Sequence, residues 1–112
     1  MTNKTYLPIL IQGIKAKTDL NQHRFVGFDG NYCQEGKKAL GVIDVSTEKD
    51  QVCPYAVLGI LLVETGGEIK AGDSVTSDSE GKAIKTSDNT EVNGYALDSA
   101  VLGEEIRIVR GI

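Results

Sequence analysis

The second half of this chain reads as a reworked copy of the first, and no other feature constrains the fold as tightly. Gly41-Val42-Ile43-Asp44-Val45-Ser46 and Gly94-Tyr95-Ala96-Leu97-Asp98-Ser99 share a glycine, an apolar stretch, an acid and a serine. Each runs on to an apolar segment that ends on glycine, Ala56-Val57-Leu58-Gly59 in one copy and Ile108-Val109-Arg110-Gly111 in the other. Upstream, Ile14-Lys15-Ala16 is echoed by Ile69-Lys70-Ala71, and Val26 to Asp29 by Val75 to Asp78. Two short units that cannot bury their apolar faces alone do so by closing on each other. The expectation is an all-β fold: a small pseudo-symmetric β-barrel or β-sandwich of two degenerate repeats, with an extended N-terminal arm.

Clusters of Gly, Asp, Asn and Ser break the chain every eight to twelve residues or so, the punctuation of short strands and turns. Strands are expected near 6–13, 23–28, 39–44, 52–63, 74–77, 82–85, 92–97 and 105–110. The last alternates, with Ile106 and Ile108 read onto one face and both arginines, Arg107 and Arg110, onto the other. Ser79-Glu80-Gly81 reads as a tight hairpin in which Gly81 takes the positive φ. One helical turn is the most that residues 47–51 allow. Pro8 and Pro54 lie inside apolar runs; lacking a backbone N–H, they mark edge strands, strand starts or bulges. Residues 1–17 are therefore read as an arm or edge strand, and residues 18–112 as a single β domain.

At 112 residues the chain has room for one core, and with 5% aromatics that core is aliphatic. The longest apolar run, Tyr55 to Val63, is broken by Gly59 and is too short for a membrane span. The amino terminus shows no secretory leader, which points to the cytosol. Residues 1–56 carry seven Lys/Arg against six Asp/Glu, and residues 57–112 five against ten. Neither half has the basic, aromatic-interleaved patch of a nucleic-acid binder. The expectation is no nucleic acid and no membrane.

Residues able to carry chemistry are few. His23 is the single histidine and has no orienting partner nearby in sequence. Cys33 and Cys53 are spaced too widely for a CxxC pair and read as free thiols, with a disulfide left open. Asp73, Asp78, Glu80, Asp88 and Glu91 do not follow a calcium-loop pattern, and turn chemistry accounts for Asp78, Asp88 and Asn89. The chain is read as not an enzyme, with no catalytic, cofactor-binding or metal residues and no cofactor. Two other classes stay open. The Gly-Asp turn at Gly72-Asp73 also occurs in biotin or lipoate carriers, where a hairpin-tip lysine (here Lys82) takes the cofactor. A glycan-binding module would need Tyr6, Tyr32, Tyr55 and Tyr95 to gather on one face.

From Gly66 onward the order of turns and strands resembles the decoration, or cement, proteins of tailed-bacteriophage capsids. The resemblance is carried by Gly67-Glu68-Ile69-Lys70-Ala71-Gly72-Asp73-Ser74-Val75-Thr76-Ser77-Asp78 and Glu80-Gly81-Lys82-Ala83. It continues through Asn93-Gly94-Tyr95-Ala96-Leu97-Asp98-Ser99-Ala100 and Gly103-Glu104-Glu105-Ile106-Arg107-Ile108. It implies a structural protein, made in the host bacterial cytoplasm, that binds the outside of the capsid shell and stabilises it. The implied partners are the major capsid protein and other copies of the chain, with a homotrimer favoured. Within that reading Lys4, Tyr6, Leu7, Ile9, Ile11, Lys15 and Lys17 are the expected contact residues. The apolar members would be buried against shell or neighbour, and the lysines would meet acidic surface.

Overall fold

The computed structural model describes residues 7–111. Eight strands follow one another: β1 (Leu7–Lys15), β2 (Phe25–Val26), β3 (Gly41–Ile43), β4 (Val52–Glu64), β5 (Ser74–Ser77), β6 (Ala83–Lys85), β7 (Gly94–Ala96) and β8 (Glu105–Arg110). Every strand pair is antiparallel, in the order β2-β3-β4-β8-β7-β5-β6, with β1 lying beside β4. A bridge between Thr65 and Ala83 ties β6 back to the end of β4, so the second half nearly closes into a barrel. The fold is all-β, and the described residues contain no helix.

The repeat is real and extends to individual hydrogen bonds. Leu20 and Thr47 exchange backbone bonds as a two-residue bridge, and Ile69 and Ala100 do the same. The Ser46 hydroxyl accepts from the Gln22 N–H at 2.9 Å, and the Ser99 hydroxyl from the Ala71 N–H at 3.0 Å. Ile43 N donates to Arg24 O in one half, and Ala96 N to Asp73 O in the other. The serine that closes each repeat signature is thus a fixed acceptor for the turn that precedes β2 or β5. The leading glycines have a shared cause as well. A Cβ on Gly41 would lie 2.5 Å from Ala56 O, and one on Gly94 3.1 Å from Val109 O. β3 crosses β4 too closely for a side chain, while at Gly94 a tight approach is joined by a φ of 155° that favours glycine.

β4 belongs to both repeats. It is the last strand of the first and the first strand of the second, pairing with β1 and β3 along its early part and with β8 along residues 59–64. Two cores flank it. Cys53 and Tyr55 join Ala16, Leu20, Val26 and Ile43 in the smaller one. Ala56, Leu61 and Val63 join Phe25, Val42, Ile69, Val75, Ile106 and Ile108 in the larger. An even-numbered and two odd-numbered residues share that face because the alternation changes phase near Gly59, whose φ is 113°.

Three details of the sequence reading need correction. Arg110 does not share a face with Arg107: period-two alternation places it with Ile106 and Ile108, and it is buried. Its guanidinium donates to Leu40 O at 3.1 Å, to Val57 O at 2.9 Å and to Ala39 O, tying β8 to the first repeat. Residues 47–51 form no helical turn. Thr47 is held in its bridge and Asp50 adopts a φ of 73°, so the segment is a turn closed by Gln51 N bonding Glu48 O. The match of Ile14-Lys15-Ala16 to Ile69-Lys70-Ala71 is also out of register, because Ile69 occupies the position of Leu20.

Candidate functional site

The expected contact segment falls largely on β1. Lys4 and Tyr6 lie outside the described residues, and Leu7 and Ile9 lie within the strand. The strand runs beside β4 from Leu7 opposite Ile60 to Lys15 opposite Val52, with irregular register around Pro8 and Leu10. Among the described residues it pairs with β4 alone, which leaves its other edge open. Ile11 is 45% exposed, and Lys15 and Lys17 are exposed too. Regular register from Ile11 to Lys15 puts those two side chains on one face of the strand, while Ile14 packs on the smaller core. Pro54 sits opposite Gly13 on the neighbouring strand.

A second surface was not singled out in the sequence. On β7 and β8, Tyr95 pairs with Val109, and Val109 pairs with Ile60 of β4. Direct partners share a face, so these three apolar side chains form a row across three strands. Tyr95 is 52% exposed and Val109 43%, with exposed Leu97 two residues beyond Tyr95. Aligning the repeats by strand register would have flagged the row, because its counterpart Val42–Ala56 is fully buried.

The residues weighed for chemistry are occupied structurally. His23 sits in a turn at φ 64°, with its Nδ1 2.5 Å from Glu105 Oε2. Cys33 and Cys53 are free, separate and buried, and burial pushes both thiols above their ordinary pKa. Asp78 Oδ1 accepts from the Glu80 and Lys82 N–H groups, bracing the hairpin, and Gly81 takes its expected positive φ of 77°. The Lys82 ammonium is 3.6 Å from both Glu64 and Glu80, so it is paired against the barrel wall and does not project from a hairpin tip. Tyr32 lies beneath Arg24, Tyr55 is buried and Tyr95 is exposed, so these three form no common platform.

Two comparisons bear on this arrangement of open strand edge and apolar row. The model of a family described as phage cement protein matches residues 9–111.

The chain belongs to the phage cement protein family.

That family is a structural one, and membership gives the chain a phage capsid-associated role. Its fold is similar to the crystal structure of the N base of head fiber gp8.5 in bacteriophage phi29. The TM-score is 0.76, with 24% sequence identity over 91% of this chain and 93% of that one. No curated protein matches the sequence.

Proposed function

We propose that this protein decorates the exterior of a phage head, binding the major capsid protein and stabilising the shell, as copies that associate with one another into trimers. It would be made in the host cytoplasm and end in the virion. The observation that carries the reading is β1, an open-edged strand with exposed Ile11 and Lys15 and with exposed Lys17 just past its end, within a chain that belongs to a cement family. An open edge offers backbone hydrogen bonds to an added strand, and alternate side chains supply selectivity. The phi29 head-fiber base, a head protein of the same fold, is consistent with this role. Each copy needs only modest affinity, since contacts to more than one shell subunit raise the effective concentration.

Lys4, Tyr6, Leu7, Ile9, Ile11, Lys15 and Lys17 are the proposed contact residues. Deleting Met1 to Leu10 should abolish co-sedimentation with shells while leaving a cooperative melt. The second half of that expectation rests on the two cores, whose members among the described side chains begin at Ile14. Undiminished co-sedimentation would reject the arm as the contact.

A further inference from the structure

The turn after β2 presents an aromatic side chain that its own backbone bonds do not need. Gly27 N–H donates to Asn31 O at 2.8 Å, and Asp29 Oδ1 accepts from Asn31 N–H at 3.0 Å, closing the turn. Ala16 N–H bonds Gln51 O on the β4 side, so Lys17 N–H points to the opposite, open side of the β1 line. There it donates to Gly30 O at 3.0 Å. Gly30 has a φ of 88°, and a Cβ on it would collide with Lys15 O. The turn is therefore pinned against the end of the open strand edge.

Phe28 stands on this turn 63% exposed, whereas Phe25, the chain's other phenylalanine, is completely buried. It lines a cleft of about 250 Å³ together with Asp29, Tyr32, Gln34, Lys37 and Lys38. The surroundings are cationic, because Lys15 and Lys17 lie against Gly30 on the same turn. Asp29 is the one carboxylate lining the cleft among the described residues, and Asn31 engages both its oxygens, at 3.0 and 3.2 Å. Counting Glu35 and Glu91 beside Gly36 as well still leaves these cations in excess.

We propose that Phe28 anchors the chain to the shell protein, entering an apolar socket whose rim is acidic and faces Lys15, Lys17, Lys37 and Lys38. The inference rests on the decoration role proposed above and extends its contact surface from β1 to the next turn. Two observations select this occupant. The Lys17–Gly30 bond makes the turn continuous with the open edge, so a shell segment added along β1 reaches Phe28 at the strand's end. Lysines around the aromatic favour a carboxylate-bearing surface and repel a cationic one. An aromatic ring on a fixed turn also loses little freedom on docking, which suits it to an anchor.

The test is co-sedimentation of the full chain with shells that lack it, over a concentration series and at two salt concentrations. Wild type is compared with Phe28→Ala, with the double variant Lys17→Glu, Lys37→Glu, and with Leu102→Ala. Leu102, 66% exposed and outside the cleft, controls for the loss of an exposed apolar side chain, and a melt checks that each variant is folded. Phe28→Ala should raise the apparent dissociation constant about 30-fold or more, the loss of one central anchor, while Leu102→Ala leaves it unchanged. The double charge reversal should weaken binding and reduce its sensitivity to salt. Wild type that binds alongside an unchanged Phe28→Ala would overturn the anchor and leave decoration standing; wild type that does not bind would overturn both. Equal losses in the two alanine variants, or a charge reversal that binds as well as wild type, would also overturn the assignment. A photo-crosslinking phenylalanine analogue at position 28 gives a second readout on assembled shells. It should join to an Asp/Glu-bearing peptide of the major capsid protein, and joining to another copy of this chain would overturn the proposal.

Discussion

Replacing Gly41 by alanine isolates the contact on which the repeat depends. The added Cβ would meet Ala56 O at 2.5 Å and Tyr55 Cδ2 at 2.9 Å. Ala56 O is backbone in a strand flanked on both sides, so it cannot turn away as a side-chain end could. Relief requires moving β3 off β4 by several tenths of an ångström, at the seam between two fully buried cores. Overpacking of this kind costs about 1–3 kcal/mol, and the backbone obstacle puts Gly41→Ala at about 3 kcal/mol. Unfolding entropy of roughly 2.1 cal/mol/K per residue over 112 residues makes each kcal/mol worth about 4 °C, so Tm should fall by about 12 °C. The control is Gly103→Ala: nothing lies within 4 Å of its Cβ position, so its left-handed φ of 85° is the one obstacle. That change should cost about 1–2 kcal/mol. Both values come from thermal melts by circular dichroism. A Gly41→Ala protein melting as high as Gly103→Ala, or higher, would refute the argument that close strand crossing selects the repeated glycine.

Three further outcomes follow from the same geometry. Ser99→Ala removes the acceptor for Ala71 N–H, and Ser46→Ala the acceptor for Gln22 N–H. Both sites are exposed, so each should cost about 0.5–1.5 kcal/mol in denaturant unfolding, with the two effects adding because the serines sit in separate repeats. Arg110→Ala should cost about 3 kcal/mol or more, since it leaves a cavity and strips three carbonyl oxygens of their donor. For the thiols, burial raises both pKa values, so the folded state holds these protons more tightly than the unfolded chain. Their contribution to stability is complete below the unfolded thiol pKa and is lost as pH rises through the folded one. Iodoacetamide at neutral pH should therefore label Cys33 and Cys53 only at the rate of unfolding, and rapid labelling of native protein would contradict their placement.

Much of the architecture was legible from turn chemistry and alternation. The bounds expected for β5 and β8 match the observed strands: turn residues Gly72-Asp73 and Asp78 bracket β5, and β8 is an alternating run that ends at Gly111. β2 and β7 are shorter than expected. A run of strand-forming residues continues past the point where a partner is available, and His23 at φ 64° breaks the ladder before Phe25. The repeat itself was visible, but its register was not: Leu20 and Ile69 are equivalent through a bridge that leaves no motif. Arg110 was misplaced by giving residue type precedence over period. Its burial is sustained by carbonyl oxygens from distant strands, which no local pattern announces. The Tyr95–Val109 row was illegible for a related reason. Val42 and Tyr95 both follow a repeat glycine, and only the packing of one repeat behind the other makes the first core and the second surface.

The role on the shell is tested most directly by counting. Phage particles carrying this protein would be banded on a density gradient, and quantitative mass spectrometry would measure the chain against the major capsid protein. The account predicts a fixed ratio near one copy per shell subunit, reduced to background by deletion of Met1 to Leu10. Intact particles without the chain would contradict it.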